Sequence, residues 1–249
     1  MVGRTSPYFA VLPDVGALGS AADHLPEHHR RAAHPSGRPW IVGELPDDQF
    51  LLVESGQRRL AVIGRCAASP DRLRAELDRL DDVSGLDRLA RALPGSFHLV
   101  AVAGGRIRVQ GSASGLRRVF HAAVGAARIA ADRSDVLADL LGVSPDPDVL
   151  ALRMFHGLPY PLNEASVWPG VEPVPAGHYL DLDLHGGGHR VVRWWRPPEA
   201  ELDVAAGAPL LREALAEAVD ARTRGGGVVS ADLSGGLDST PLCALASSG

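Results

Sequence analysis

Residues 227–249 read Gly227-Val-Val-Ser-Ala-Asp-Leu-Ser-Gly-Gly-Leu-Asp-Ser-Thr-Pro-Leu-Cys-Ala-Leu-Ala-Ser-Ser-Gly249. The run Val228-Val-Ser-Ala-Asp-Leu233 lacks polar alternation, as expected of a parallel strand buried on both faces. It leads into Ser234-Gly-Gly-Leu-Asp-Ser239, and an apolar helix is expected from about Thr240. A glycine pair lets backbone approach a phosphate chain, and the amides and dipole of the following helix start favour an anion. Ser234 and Ser239 add hydroxyl donors. Asp238 alone would repel phosphate, so its presence points to a Mg²⁺ ion between carboxylate and phosphate oxygens. The Gly-Lys-Ser/Thr ending of a Walker loop is absent, which implies a different nucleotide fold.

Upstream, the pattern changes. Short β-type runs recur up to about residue 131: Tyr8–Leu12, Trp40–Glu44, Phe50–Glu54, Leu60–Gly64, Phe97–Val102, Arg106–Gln110, Arg118–Phe120 and Ala127–Ala130. Turn formers such as Ala103-Gly-Gly105 separate several of them, the mark of hairpins in antiparallel sheet. Helices are expected over Pro70–Leu80, with leucines at 73, 77 and 80 on one face, and over Leu86–Leu93, Ser134–Leu141 and Pro147–His156. Strands at Gly177–Asp183 and His189–Arg193 follow, the latter pair joined by Gly186-Gly-Gly188. Arg196-Pro-Pro-Glu199 reads as a stiff extended linker, and a domain boundary is placed near residue 200. Beyond it, Val204–Arg222 carries Leu210, Leu211, Leu215 and Val219 as a helix.

The Ser234–Ser239 loop resembles the pyrophosphate-binding S-G-G-x-D-S loop of the adenine-nucleotide α-hydrolase fold (PP-loop), whose enzymes split ATP between its α and β phosphates. Gly95-Ser-Phe-His-Leu-Val-Ala101 and Gly111-Ser-Ala-Ser-Gly-Leu-Arg-Arg-Val-Phe120 resemble the G-x-F-A and R-D-x-x-G-x-x-P-L-Y segments of class II glutamine amidotransferases. Ser166–Tyr179 and Trp194–Pro197 resemble the segments that follow in asparagine synthetases. The resemblance implies an α+β chain. Residues 1–200 would be an Ntn-type amidotransferase-like domain of antiparallel sheets with flanking helices, and 201–249 the start of an α/β PP-loop domain. It also implies ATP and Mg²⁺ as cofactors, with Leu233, Ser234, Gly235, Gly236, Asp238 and Ser239 at the nucleotide and Asp238 on the metal.

Departures from the family pattern bear on the chemistry. Glutaminases of this class attack with an N-terminal cysteine thiolate exposed by methionine removal, and here residue 2 is Val2. The N-G-E glutamine-binding segment falls on Ile63-Gly64-Arg65, and the R-D aspartate on Ser112. Without ammonia from glutamine, the amine must arrive with the substrate, as in β-lactam synthetases and in the cyclases that close lasso peptides. The resemblance to the second group implies a precursor peptide whose carboxylate is adenylated and whose own amine closes a macrolactam. A leader-peptide-binding protein and a leader peptidase are candidate partners. Alternatives are an asparagine synthetase or β-lactam synthetase-like ligase, and a non-catalytic scaffold that docks a partner.

A formal charge of −5 with both signs interspersed argues against nucleic acid, and no apolar run reaches the ~20 residues of a membrane span. The start lacks a secretion signal, and Cys66 and Cys243 form no disulfide pattern, so a cytoplasmic location is expected. The 45% apolar content suffices for a large core. His24, His28, His29 and His34 crowd one segment that reads as a solvated loop between Pro26 and Pro35. Asp181 and Asp183 read as the outward face of a strand, and Trp194-Trp195 as packing. A phosphate loop needs further parallel strands, so the sequence is expected to be the front part of a longer synthetase, or one piece of a cleaved one.

Overall fold

The computed structural model describes residues 7–16, 30–155, 158–159, 162–223 and 228–247. Strands β1 (Tyr8–Val11), β2 (Arg30–Ala33), β3 (Pro39–Glu44), β8 (Phe120–Val124), β9 (Ala127–Ala131) and β10 (Val171–Pro173) form one sheet in the order β10-β8-β9-β1-β3-β2. Strands β4 (Phe50–Ser55), β5 (Arg58–Cys66), β6 (Gly95–Ala103), β7 (Arg106–Gln110), β11 (His178–Asp183) and β12 (His189–Arg193) form the other, in the order β12-β11-β7-β6-β5-β4. Every pairing is antiparallel. The α+β class expected from the sequence, antiparallel sheets with flanking helices, is the one found.

Alternation along each strand builds the layers. Phe9 and Val11 of β1 meet Ala61 and Ile63 of β5 and Val100 and Val102 of β6 in a core between the sheets. The alternate residues Tyr8 and Ala10 face outward under α3 (Ser134–Leu141), against Val136 and Leu137. On the far side of the second sheet, Leu60, Val62, Leu99 and Ala101 pack on Leu73 and Leu77 of α1 (Pro70–Asp78) and Leu89 of α2 (Asp87–Ala92). The order is therefore helix, sheet, sheet, helix.

Ser69 caps α1, its Oγ accepting the Arg72 amide at 3.3 Å, and Asp146 caps α4 (Pro147–Arg153). Gly43 is required where β1 and β3 meet: its φ is +153°, and a Cβ there would lie 2.1 Å from the Tyr8 carbonyl oxygen. After β12, residues 194–203 contain no helix or strand. Helix α5 (Val204–Thr223) follows, touches β5 and β6, and packs on α6 (Ser239–Ser247).

Several expectations are corrected. Residues 228–233 are not a strand: no neighbouring strand among the described residues offers a ladder, and Val228, Val229 and Leu233 are exposed. An apolar β run without a partner leaves its amides and carbonyls to water. The strand read at Arg118–Phe120 begins only at Phe120 and runs to Val124. The short strands β2 and β10 were not anticipated, having too few alternating residues to register. Helix α4 stops at Arg153. His34, read as part of a solvated loop, is buried, its Nε2 2.9 Å from the Leu12 carbonyl oxygen; His24, His28 and His29 lie outside the described residues.

Asp181 is the largest reversal. Read as outward-facing, it is fully buried, with Arg106 donating Nε–H to Oδ1 at 2.6 Å and Arg190 donating to Oδ2. Arg190 sits directly opposite it on β12, and Arg106 reaches it diagonally from β7, where Arg106 itself lies opposite Asp183, so the neighbouring strands supply the countercharge. Asp183 takes a turn role, its Oδ1 accepting the amides of His185 and Gly187.

Candidate functional site

The loop singled out in the sequence is a bend and turn that runs directly into α6. Gly235 lies at φ +75°, a conformation that suits glycine, and a Cβ on Gly236 would sit 3.5 Å from Ser234 Oγ. The two hydroxyls flanking the turn meet: Ser234 Oγ and Ser239 Oγ are 2.8 Å apart, and the Ser234 amide donates to Ser239 Oγ at 3.2 Å. The Thr240 amide donates to the Gly236 carbonyl at 3.3 Å. Leu233, Gly235, Gly236, Leu237 and Asp238 are exposed.

This arrangement fits a phosphate chain. The left-handed glycine turns the backbone without a side chain in the way, two hydroxyls are gathered on one side, and the helix start contributes the positive end of its dipole. Asp238, exposed in the same turn, could share a cation with a bound phosphate. Among the described residues, no group of three or more His, Cys, Asp or Glu side chains is placed to hold a metal ion by itself. A metal here would therefore take most of its ligands from phosphate and water.

The positions that resemble glutaminase motifs carry Ile63, Gly64, Arg65 and Ser112. Ile63 is buried in the inter-sheet core, and Arg65 is exposed at the end of β5. Between them Gly64, at φ +123°, leaves no room for a Cβ, which would lie 2.6 Å from the Ser96 carbonyl oxygen. Ser112 serves its own loop: its Oγ accepts the Arg117 amide at 2.9 Å, and its amide donates to the Arg117 carbonyl at 3.0 Å. Burial pushes the Cys66 thiol up, away from the thiolate a nucleophile needs. Val2 lies outside the described residues. Trp194, expected to pack, is buried, and its carbonyl accepts a hydrogen bond from Arg91.

Sequence reading missed several buried or partly buried titratable side chains, two of which, Asp132 and His98, line one end of the sandwich. Asp132, just after β9, accepts the Phe9 amide at 2.9 Å, and burial drives its carboxyl up to about 6. His98 is edge-on to Phe9, with centroids 5.0 Å apart, and its Nε2 lies 2.9 Å from the Arg118 carbonyl oxygen. Burial lowers His98 to about 4, so the ring is neutral and Nε2 is the donor. His121, on β8, is likewise held to about 4 by burial and by Arg128, and His34 is lowered by burial. Only the pairing of distant strands places these groups, and no local sequence signal announces it.

These values set the response to acid. A buried histidine held neutral loses its stabilising contribution as pH falls below the ~6.5 of the unfolded chain, because the unfolded state takes up a proton that the fold refuses. Asp132 acts in the opposite sense, since its folded value lies above its unfolded one and it favours the fold as pH falls through about 6. Histidines outnumber the carboxyl, so the thermal midpoint should fall between about pH 7 and about pH 5. Asp132→Asn should raise the midpoint at pH 7 and steepen that fall. A wild-type midpoint that rises on acidification would contradict this balance.

Comparison with known proteins finds a family match over the segment that contains the loop. Residues 210–249 match the asparagine synthase family model. The matched segment thus contains the second half of α5, the glycine turn and α6. No curated protein sequence matches the chain. Among solved structures, glutamine phosphoribosylpyrophosphate amidotransferase from B. subtilis, complexed with ADP and GMP, shares 12% identity at a TM-score of 0.45, covering 98% of this chain and 64% of that one. A structure described as the allosteric regulatory enzyme of purine biosynthesis shares 11% identity at a TM-score of 0.46, covering 91% and 59%. The chain spans about three fifths of the length of both. No helix among the described residues is long and apolar enough to cross a membrane.

Proposed function

We propose that this chain carries the amidotransferase-like half and the phosphate loop of an ATP-dependent, amide-forming ligase of the asparagine synthetase type, one that draws its amine from the substrate itself. The observation that carries the reading is the Ser234–Ser239 turn, which lies inside the segment matching asparagine synthase and has the backbone a phosphate chain requires. ATP, with Mg²⁺, would supply the activation: the carboxylate would take the AMP part of ATP with release of pyrophosphate, and the amine would then displace AMP as the amide forms. Ser234, Gly235, Gly236 and Ser239 hold the phosphate end through hydroxyls and amides, Leu233 delivers the chain into the turn, and Asp238 binds the metal.

Support for a substrate-borne amine comes from the front half. An aliphatic chain at Ile63, a cation at Arg65, a loop-tying hydroxyl at Ser112 and an isopropyl group at Val2 leave no thiolate, carboxamide or carboxylate for glutamine. An amine tethered to the activated acyl group replaces free ammonia by effective concentration. The reading extended furthest is a precursor peptide closed to a macrolactam, with a leader-peptide-binding protein and a leader peptidase as its partners, in the cytoplasm.

The test is mass spectrometry of candidate precursor peptides incubated with ATP, Mg²⁺ and the enzyme containing these residues. Loss of one water per peptide is expected, with no glutamate released from glutamine. Asparagine formed from aspartate and ammonia would replace this reading with a simple amide synthetase, and glutamate release would overturn the substrate-borne amine.

A further inference from the structure

At the end of the sandwich where β1 starts, a cleft of about 360 Å³ is lined by His98, the Leu116–Arg118 stretch, Phe120 and residues 132–135. Its volume is that of a small-ligand pocket. Arg117 and Arg118 are half-buried there, yet among the described residues neither reaches a carboxylate within ion-pair distance. Arg117 donates Nε–H to Ser96 Oγ at 3.0 Å, and Arg118 donates one Nη to the Glu164 carbonyl at 3.0 Å. Both forks thus bond only neutral acceptors, and the Glu164 carboxylate acts on Arg118 from beyond ion-pair distance. Partly desolvated cations without counter-charge are costly unless something supplies it.

We propose that this cleft is a carboxylate-binding site in which Arg117 and Arg118 receive the anion. Its parts are set in advance. The Arg118 guanidinium lies over the Phe120 ring at 4.8 Å from the centroid, and neutral His98 holds the Arg118 carbonyl, so the fork has little freedom to lose. The first turn of α3, which has no side-chain cap, adds the positive end of its dipole to the same cleft. Arg133 is already satisfied by Asp135 through two bonds and takes no part.

The opposite wall selects the ligand. Asp132 lines the same cleft and would repel a doubly charged phosphate more than a planar monoanion, which can lie against the two forks and away from it; Asp135 is neutralised by Arg133. Leu116, 86% exposed at the rim, offers apolar contact to whatever chain carries the carboxyl. That chain is either a free small acid or an acidic side chain of a peptide, and both present the same group. The site needs no ATP, so it stands or falls separately from the ligase reading.

The test titrates the 249-residue protein with N-acetylglycine, with a C-terminally amidated peptide containing one glutamate, and with inorganic phosphate. Affinity is read by calorimetry, and contact by the Arg Nε–Hε resonances in a ¹⁵N spectrum. Saturable binding of either carboxylate probe that moves the Arg117 and Arg118 resonances is expected, and whichever probe binds tighter identifies the source. Arg118→Gln should weaken it about tenfold or more; should that variant not fold, the wild-type resonances decide. Absence of saturation by both carboxylates, phosphate binding as tight as theirs, or full affinity in a folded Arg118→Gln would overturn the assignment.

Discussion

Asp238→Asn is expected to abolish ATP–pyrophosphate exchange in the enzyme that contains this chain. The substitution keeps shape and removes one negative charge from a turn whose other groups, Ser234, Ser239 and the helix-start amides, are donors. On the proposed reading, losing the carboxylate would remove the protein's anchor for the cation, worth several kcal/mol of charge stabilisation, or about a thousandfold in rate. The effect must be chemical, because Asp238 is exposed and forms no ion pair among the described residues. Its thermal midpoint should match wild type. Exchange at the wild-type rate would remove Asp238 from the metal site and, with it, the main reason for reading this turn as an ATP loop.

Arg108→Met should produce the largest loss of stability. Arg108 has no exposed surface. Its guanidinium donates to the Gln110 side-chain oxygen at 2.8 Å, to the Val83 carbonyl at 3.0 Å and to Asp87 at 2.7 Å, and lies 3.9 Å from the Tyr179 ring centroid. It thereby fastens the 83–86 turn and α2 to the outer face of the second sheet. Methionine fills much of the volume but leaves Gln110 and Val83 without donors, while half-exposed Asp87 can turn to water. The low end of the range for breaking a buried pair applies, about 3 kcal/mol. In a protein of this size that lowers the midpoint by about 6–12 °C. Arg108→Lys should recover part of it through Asp87. A shift below about 2 °C for Arg108→Met would mean that the network contributes little.

Reading the sequence worked where the physics was local. The leucines of α1 declare a buried face because helical geometry repeats every 3.6 residues, and Ser69 and Asp146 mark helix starts because a cap acts within three residues. It failed where partners were remote. Asp181 was read as outward because alternation tells which residues share a face, not whether that face is covered. Its arginines come from two other strands, one of them 75 residues away. The run at 228–233 failed for the complementary reason: residue preferences favour a strand, but a strand exists only when another lies beside it.

The amino-acid order alone determined the alternating apolar runs, the helix faces, the glycine turn at 235–236 with its two serines and aspartate, and the departures from the resembled motifs at positions 63, 65 and 112. Each follows from chemistry within a few residues. Tertiary structure alone decided that Asp181 and Arg108 are buried with partners, that Asp132 and His98 sit at one end of the sandwich with shifted protonation, and that Arg117 and Arg118 line a cleft with no carboxylate at ion-pair distance. Those outcomes depend on which strands lie side by side and how much water is expelled between them, quantities that belong to the packed chain and not to any segment of it.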